Sequence, residues 1–152
     1  MDLYQFLHER THDIVADAEQ ALRTAHLTTY ERDGAETVHQ RLKALCVLTV
    51  RAVKERNLGP MVAHADHVAQ ERFNAGYQLW EVQTAFNALE EVIWNRILRE
   101  LPPAEFAEAL GLVSTILGSG KDALARKYVS LASKTRATTL DLRPLFTGLA
   151  GS

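Results

Sequence analysis

From Phe106 to Leu131 the apolar residues fall at three- and four-residue spacing: Phe106, Leu110, Val113, Leu117, Leu124, Tyr128 and Leu131. A stripe of that period runs down one side of an α-helix and would scatter over both faces of a strand. The same period recurs in Leu79, Val82, Phe86, Leu89, Ile93 and Ile97. No segment alternates with period two for long enough to make a strand. The one candidate, Leu140-Asp141-Leu142, is cut short by Pro144. The chain therefore reads as all-α.

Capping residues, glycines and prolines divide it into five helical blocks. Asp2 with Gln5 is a capping-box start, and the first block runs to about His26 with Leu3, Leu7, Ile14, Ala18, Ala21 and Ala25 on one face. Residues 27–33 read as a polar connection. Asp33 with Glu36 starts a second helix that lasts to about Asn57. Its middle, Ala44 to Val50, is apolar on all sides, which marks a buried helix and makes Cys46 an inert packed thiol. Gly59-Pro60 opens the third helix and Gly76 closes it. The fourth spans about Leu79 to Leu101. Trp80, Trp94 and Leu98 give it a second apolar face, so it is expected to be the most buried. Pro102-Pro103 stop it, and the fifth runs from about Ala104 to Arg136. Gly118 and Gly120 cost about 1 kcal/mol each in a helix interior and leave room for a break. The expected organisation is one helical domain over 1–136 and an irregular tail over 137–152, anchored by Leu142, Leu145 and Phe146.

With 152 residues, 47% of them hydrophobic, the chain is long enough to bury a core without disulfide or metal support. Seventeen basic and nineteen acidic side chains leave a net charge of −2, which argues against nucleic acid as a partner. The lone Cys46 excludes an internal disulfide and any cysteine-based zinc cluster. Met1-Asp2-Leu3-Tyr4 has no basic segment leading into an apolar run, and no apolar run approaches a membrane-spanning length. A cytoplasmic protein without membrane contact is expected.

His8-Glu9-Arg10-Thr11-His12 is a literal H-E-x-x-H, the pattern in which two histidines one helical turn apart hold zinc and the glutamate activates its water. It lies at the start of the chain with no sheet edge to hold a peptide substrate, and both histidines fall towards solvent. They read as exposed residues, and neither an enzyme nor a metal site is expected. His64 and His67, spaced i, i+3 on the polar side of the third helix, read the same way, and no histidine is placed to ligate haem. Arg72 is different. Helical phase puts it between Val68, Ala69 and Phe73 on an apolar face, where an arginine needs a carboxylate: Glu81, Glu90 or Glu91. A structural ion pair is the favoured reading and a small-anion site the other.

The stretch from His64 to Leu101 continues through Arg72, Gly76, Leu79-Trp80-Glu81-Val82, Ala85-Phe86-Asn87-Ala88-Leu89 and Val92-Ile93-Trp94. This order resembles the N-terminal domain of the RsbRD-type RsbT co-antagonist proteins, a stressosome-related sensory module of the stress response. The resemblance implies an all-α, non-haem globin-like fold without a cofactor. It also implies a signalling role by protein contact, and dimerisation. The output domain that usually follows in that family is not seen in this sequence, which favours a stand-alone or partner-binding regulator.

The expectation is thus a non-enzymatic regulatory helical domain acting by protein–protein contact, with a homodimer and an unidentified regulatory protein as partners. The alternative is a small-ligand or metal-binding helical protein using His8/His12, His64/His67 or Arg72. The fifth helix is the expected dimer element. Beside its main stripe it carries Ala109, Leu112, Ile116 and Ala123, and a small-residue set of Gly111, Ser114, Thr115 and Gly118 that another backbone could approach. The tail anchors Leu142, Leu145 and Phe146 are expected to join that seam.

Overall fold

The computed structural model describes residues 1–139, with side chains to Thr135. Among these residues the regular structure is entirely helical: α1 (Leu3–Glu9), α2 (Thr11–Ala25), α3 (Thr28–Asp33), α4 (Ala35–Glu55), α5 (Gly59–Asn74), α6 (Leu79–Glu100) and α7 (Phe106–Thr139), with a 3-10 turn at Pro103–Glu105 before α7. The all-α expectation holds, but five blocks become seven helices.

The first block breaks at Arg10. The expected capping box forms, with Gln5 N–H donating to Asp2 Oδ1 at 2.8 Å. Arg10 then leaves helical geometry at φ −105°, ψ 7°. Its side chain turns back to Phe6, donating from Nη1 to the Phe6 carbonyl at 3.1 Å with the guanidinium 4.2 Å from the ring centroid. Its Nε donates to Glu100 at the end of α6, 2.9 Å away. The break resets the helical phase. Ile14, Val15, Ala18 and Leu22 are buried on α2, while Ala21 and Ala25 are exposed.

The connection at 27–33 is mostly helix. α3 forms because Leu27 and Tyr30 bury their side chains, and it ends at Gly34, whose φ of +89° favours glycine. Asp33 therefore closes α3 and does not cap α4. The middle of α4 is one-sided: Leu45, Cys46, Thr49 and Val50 are buried, Ala44 and Val47 exposed. Burial pushes the Cys46 thiol up to about 11, against a weaker opposing hydrogen bond from Thr11, so it stays protonated. α2 and α4 end in non-glycine left-handed residues, His26 and Arg56.

α5 starts at Gly59-Pro60 and α6 spans the expected length. α6 is not wrapped all round, however. Val82, Phe86, Leu89, Ile93 and Ile97 are buried, but Trp80 is 58%, Trp94 37% and Leu98 46% exposed. α6 packs between α2 and α7, α7 lies along α5, and α4 runs beside α2.

α7 is continuous through both glycines. A Cβ on Gly120 would stand 2.7 Å from Phe86 Cε2 and 3.1 Å from Met61 Sδ. The glycine is where α5 and α6 close on α7. Gly118 has nothing within 4 Å of its Cβ position. Gly120→Ala gains about 1 kcal/mol of helix propensity but must displace two buried side chains, at a cost of about 1–3 kcal/mol. The variant is expected to unfold at lower urea concentration than the parent. An unchanged or raised midpoint would show that the junction has slack.

Candidate functional site

The polar centre of the molecule is the elbow between α5 and α6. Gly76, at φ +86°, reverses the chain and turns Tyr77 inward, where it is 3% exposed. Tyr77 N–H donates to the Arg72 carbonyl at 2.9 Å. Its ring meets Tyr30 edge-on at 5.7 Å, and the guanidiniums of Arg41 and Arg72 stand 5.6 and 5.9 Å from its centroid. Tyr128 of α7 donates its hydroxyl proton to the Tyr77 carbonyl at 3.0 Å. Glu81 then caps α6: its Oε1 accepts from Gln78 N–H at 2.9 Å, its Oε2 accepts from the Thr29 hydroxyl, and its carbonyl accepts from Tyr30 Oη at 3.0 Å. The Gly76-x-x-Leu79-x-Glu81-Val82 sequence thus has a local physical job, turning the chain and starting the helix.

Arg41 donates to Asp33 Oδ2 at 2.9 Å and to the Tyr77 hydroxyl at 2.7 Å, and Tyr77 itself donates to Asp33. Burial pushes the Asp33 carboxyl up, but the hydrogen bonds from Tyr77 and Arg41 outweigh it and hold the group below the usual carboxylate value. Burial, then the bond to Asp33, raises Tyr77. Burial lifts Tyr128 to about 12, so the cluster's phenols are neutral donors.

Arg72 is buried, at 6% exposure. Its Nη1 donates to Glu71 of its own helix at 2.6 Å, and no glutamate of α6 bonds it. Glu81 is committed to the cap. Glu90 instead takes Lys121 Nζ at 3.1 Å and the Ser114 hydroxyl at 3.1 Å, tying α6 to α7. Glu91 is exposed.

A cleft of about 370 Å³ opens beside the elbow between α4 and α5. Leu42, Leu45, Val68 and Phe86 form apolar walls, and Arg72, Arg41 and His64 contribute polar groups. Half-burial, with help from His67 and Arg72, pushes His64 below the ordinary histidine value, so it is neutral near pH 7.

The H-E-x-x-H string straddles the Arg10 break. His8 lies in the last turn of α1, stacked on Tyr4 at 5.5 Å, and His12 belongs to α2, both exposed. His67 is exposed and lies 3.5 Å from Glu71. Among the described residues no three histidine, cysteine or acidic side chains group as metal ligands, and no helix is long and apolar enough to cross a membrane.

Of the expected contact residues, Ile116 is fully buried, as are Ala109 and Ala123 nearby, so this chain's own core claims them. Leu112 is half-buried, Gly111 exposed and Gly118 half-exposed. Leu142, Leu145 and Phe146 lie outside the described residues. Sequence reasoning missed the surface that α6 adds. Taken at about 100° per residue from Glu90, which faces α7, Trp94 lies 40° round and Trp80 and Leu98 80° round. Gly118 and Gly111 lie 40–60° from Ser114, the residue of α7 that meets Glu90. A shallow groove of about 270 Å³ between Trp94, Leu98 and Lys121 follows this seam.

Comparison with protein-family models, curated proteins and solved structures returns no match.

Asp33→Asn removes the charge that Arg41 and Tyr77 bond. It is expected to cost about 1.5 kcal/mol at pH 7. Because the folded Asp33 is held low, its contribution is present above the ordinary carboxylate range and is lost as pH falls through the folded value. The variant should therefore lose less stability than the parent as pH falls below the ordinary carboxylate range. Parallel acid limbs in urea titrations would remove Asp33 from this account.

Proposed function

We propose that this protein is a non-enzymatic regulatory helical domain acting by protein contact through the outer face of α6 and α7, with a second copy of itself as the first partner. The observation that carries this is the exposure of two tryptophans on one side of α6, Trp80 at 58% and Trp94 at 37%, with Leu98 at 46% one turn beyond Trp94. Tryptophan is the residue that most often anchors protein interfaces, and an apolar group of this kind on a folded surface marks a contact site.

The face is self-complementary in size. α6 offers large rings, and α7 beside it offers Gly111 and Gly118, with no atom within 4 Å of either Cβ position. Two copies related by a two-fold axis could set the rings of each against the glycines of the other, the simplest closed arrangement. The order of residues from His64 to Trp94 supports the regulatory reading, because it resembles the sensory domains of RsbRD-type RsbT co-antagonists. A globin-like description and a stress-response role belong to that resemblance, and the cytoplasmic location is proposed from the sequence alone. In the elbow, Tyr77, Glu81, Tyr30, Tyr128, Arg41 and Asp33 are engaged in holding helices together.

Light scattering is expected to give twice the 17.0 kDa chain mass at micromolar concentration. Trp94→Ala should raise the dissociation constant by about 30-fold, as loss of a central aromatic anchor does. Gly118→Leu should also dissociate the pair while leaving the fold intact, since its Cβ meets open space and its helix propensity improves. A parent chain that scatters as one copy, or a Gly118→Leu variant that stays paired, would overturn the dimer.

A further inference from the structure

We propose that the cleft between α4 and α5 binds a small amphipathic carboxylate, its anionic head on the Arg72 guanidinium and its apolar body against Leu42, Leu45, Val68 and Phe86. This does not depend on the contact face of α6 and α7.

The first observation is a donor count. A guanidinium carries five N–H donors. Arg72 is 6% exposed, and its one hydrogen bond within the described structure runs from Nη1 to Glu71. Yet no nitrogen of Arg72 is both fully enclosed and unbonded; among the described residues that condition is met at Arg96 Nε. The unbonded Arg72 nitrogens therefore keep a narrow access to solvent, and Arg72 lines the cleft. A buried cation with free donors and an opening is arranged to receive an anion, and the flat fork of a guanidinium matches a carboxylate.

The second observation is that two other basic groups of the cleft, Arg41 and His64, are occupied or neutral. Arg41 is engaged by Asp33 and the Tyr77 hydroxyl. His64 is neutral near pH 7. Glu71, more than half exposed at the rim, offsets part of the Arg72 charge and has a second partner in His67 at 3.5 Å. One available cation beside a rim carboxylate suits a monoanion and disfavours a dianion such as phosphate.

The third observation is the walls. The cleft volume of about 370 Å³ lies in the usual range of small-molecule pockets, about 300–1,000 Å³, which combine an apolar lining with a few fixed polar groups. A fully hydrophilic acid would leave those walls wet, whereas an acid with an alkyl or aryl body covers them.

The test is calorimetric titration of the full chain with octanoate, 1-octanol and inorganic phosphate. Octanoate is expected to saturate a single site per chain, 1-octanol to bind at least about tenfold more weakly for want of the charge-assisted bond, and phosphate to give no saturable binding. Arg72→Gln should bring octanoate down to the affinity of 1-octanol. Ala85→Phe, at a half-buried position on the cleft wall, should abolish octanoate binding with the thermal melt preserved, and it carries the test if Arg72→Gln does not fold. Trp94→Ala should leave octanoate binding unchanged, which separates this site from the contact face. The proposal is overturned by absence of saturable octanoate binding, by equal affinity for octanoate and 1-octanol, by phosphate binding as tightly as octanoate, or by octanoate binding that survives Ala85→Phe.

Discussion

The close approach of three helices at Gly120 is the constraint on which the rest of the arrangement depends. Met61 of α5 and Phe86 of α6 both reach the space a side chain on Gly120 would occupy. With that space empty, α5 can lie along α7 while α6 is drawn against the same helix. The residue costs α7 some helix propensity, and the neighbouring side chains recover it by packing where a methyl group would stand. Residues 106–131 thus hold a single stripe that serves two neighbours, and α7 needs no break to do so.

Once α5 and α6 are held side by side, the elbow joining them must be buried, and its polar groups must find partners inside the protein. Tyr77, Glu81, Tyr30, Tyr128, Arg41 and Asp33 meet that demand between them, drawing on α3, α4, α6 and α7. Arg72 is the exception, buried with one bond and open to the cleft. α6 borders both surfaces discussed above: Val82 and Phe86 line the cleft, and Trp80, Trp94 and Leu98 lie on its outer side.

Signals that act over one or two turns were legible in the sequence. The Asp2–Gln5 capping box, the proline start of α5 and the length of α6 follow from local chemistry, and the phase of α5 places Arg72 among apolar neighbours. Other features depend on partners far away in sequence. The break at Arg10 comes with a bond to Glu100, and the pairing of Asp33 with Tyr77 joins residues on either side of two helices. Hydrophobicity alone misplaced the tryptophans: an apolar circumference reads as buried, yet α2 and α7 cover only part of α6. The partner of Arg72 was not legible because the α6 glutamates are claimed by a helix cap and by Lys121.

The ties between the N-terminal helices and α6 bear on how the chain assembles as it is made. Arg10 bonds Glu100 across 90 positions, Asp17 meets Arg96 across 79, and Thr29 and Tyr30 reach Glu81 across about 50. At synthesis rates of about 5–20 residues per second, the first two helices wait several seconds before the surface that covers them leaves the ribosome. Phe6, Leu7, Ile14 and Leu22, all buried in the finished protein, stay exposed meanwhile unless α4 shelters them first. Part of the apolar surface of α2 is therefore left to be covered only when α6 arrives.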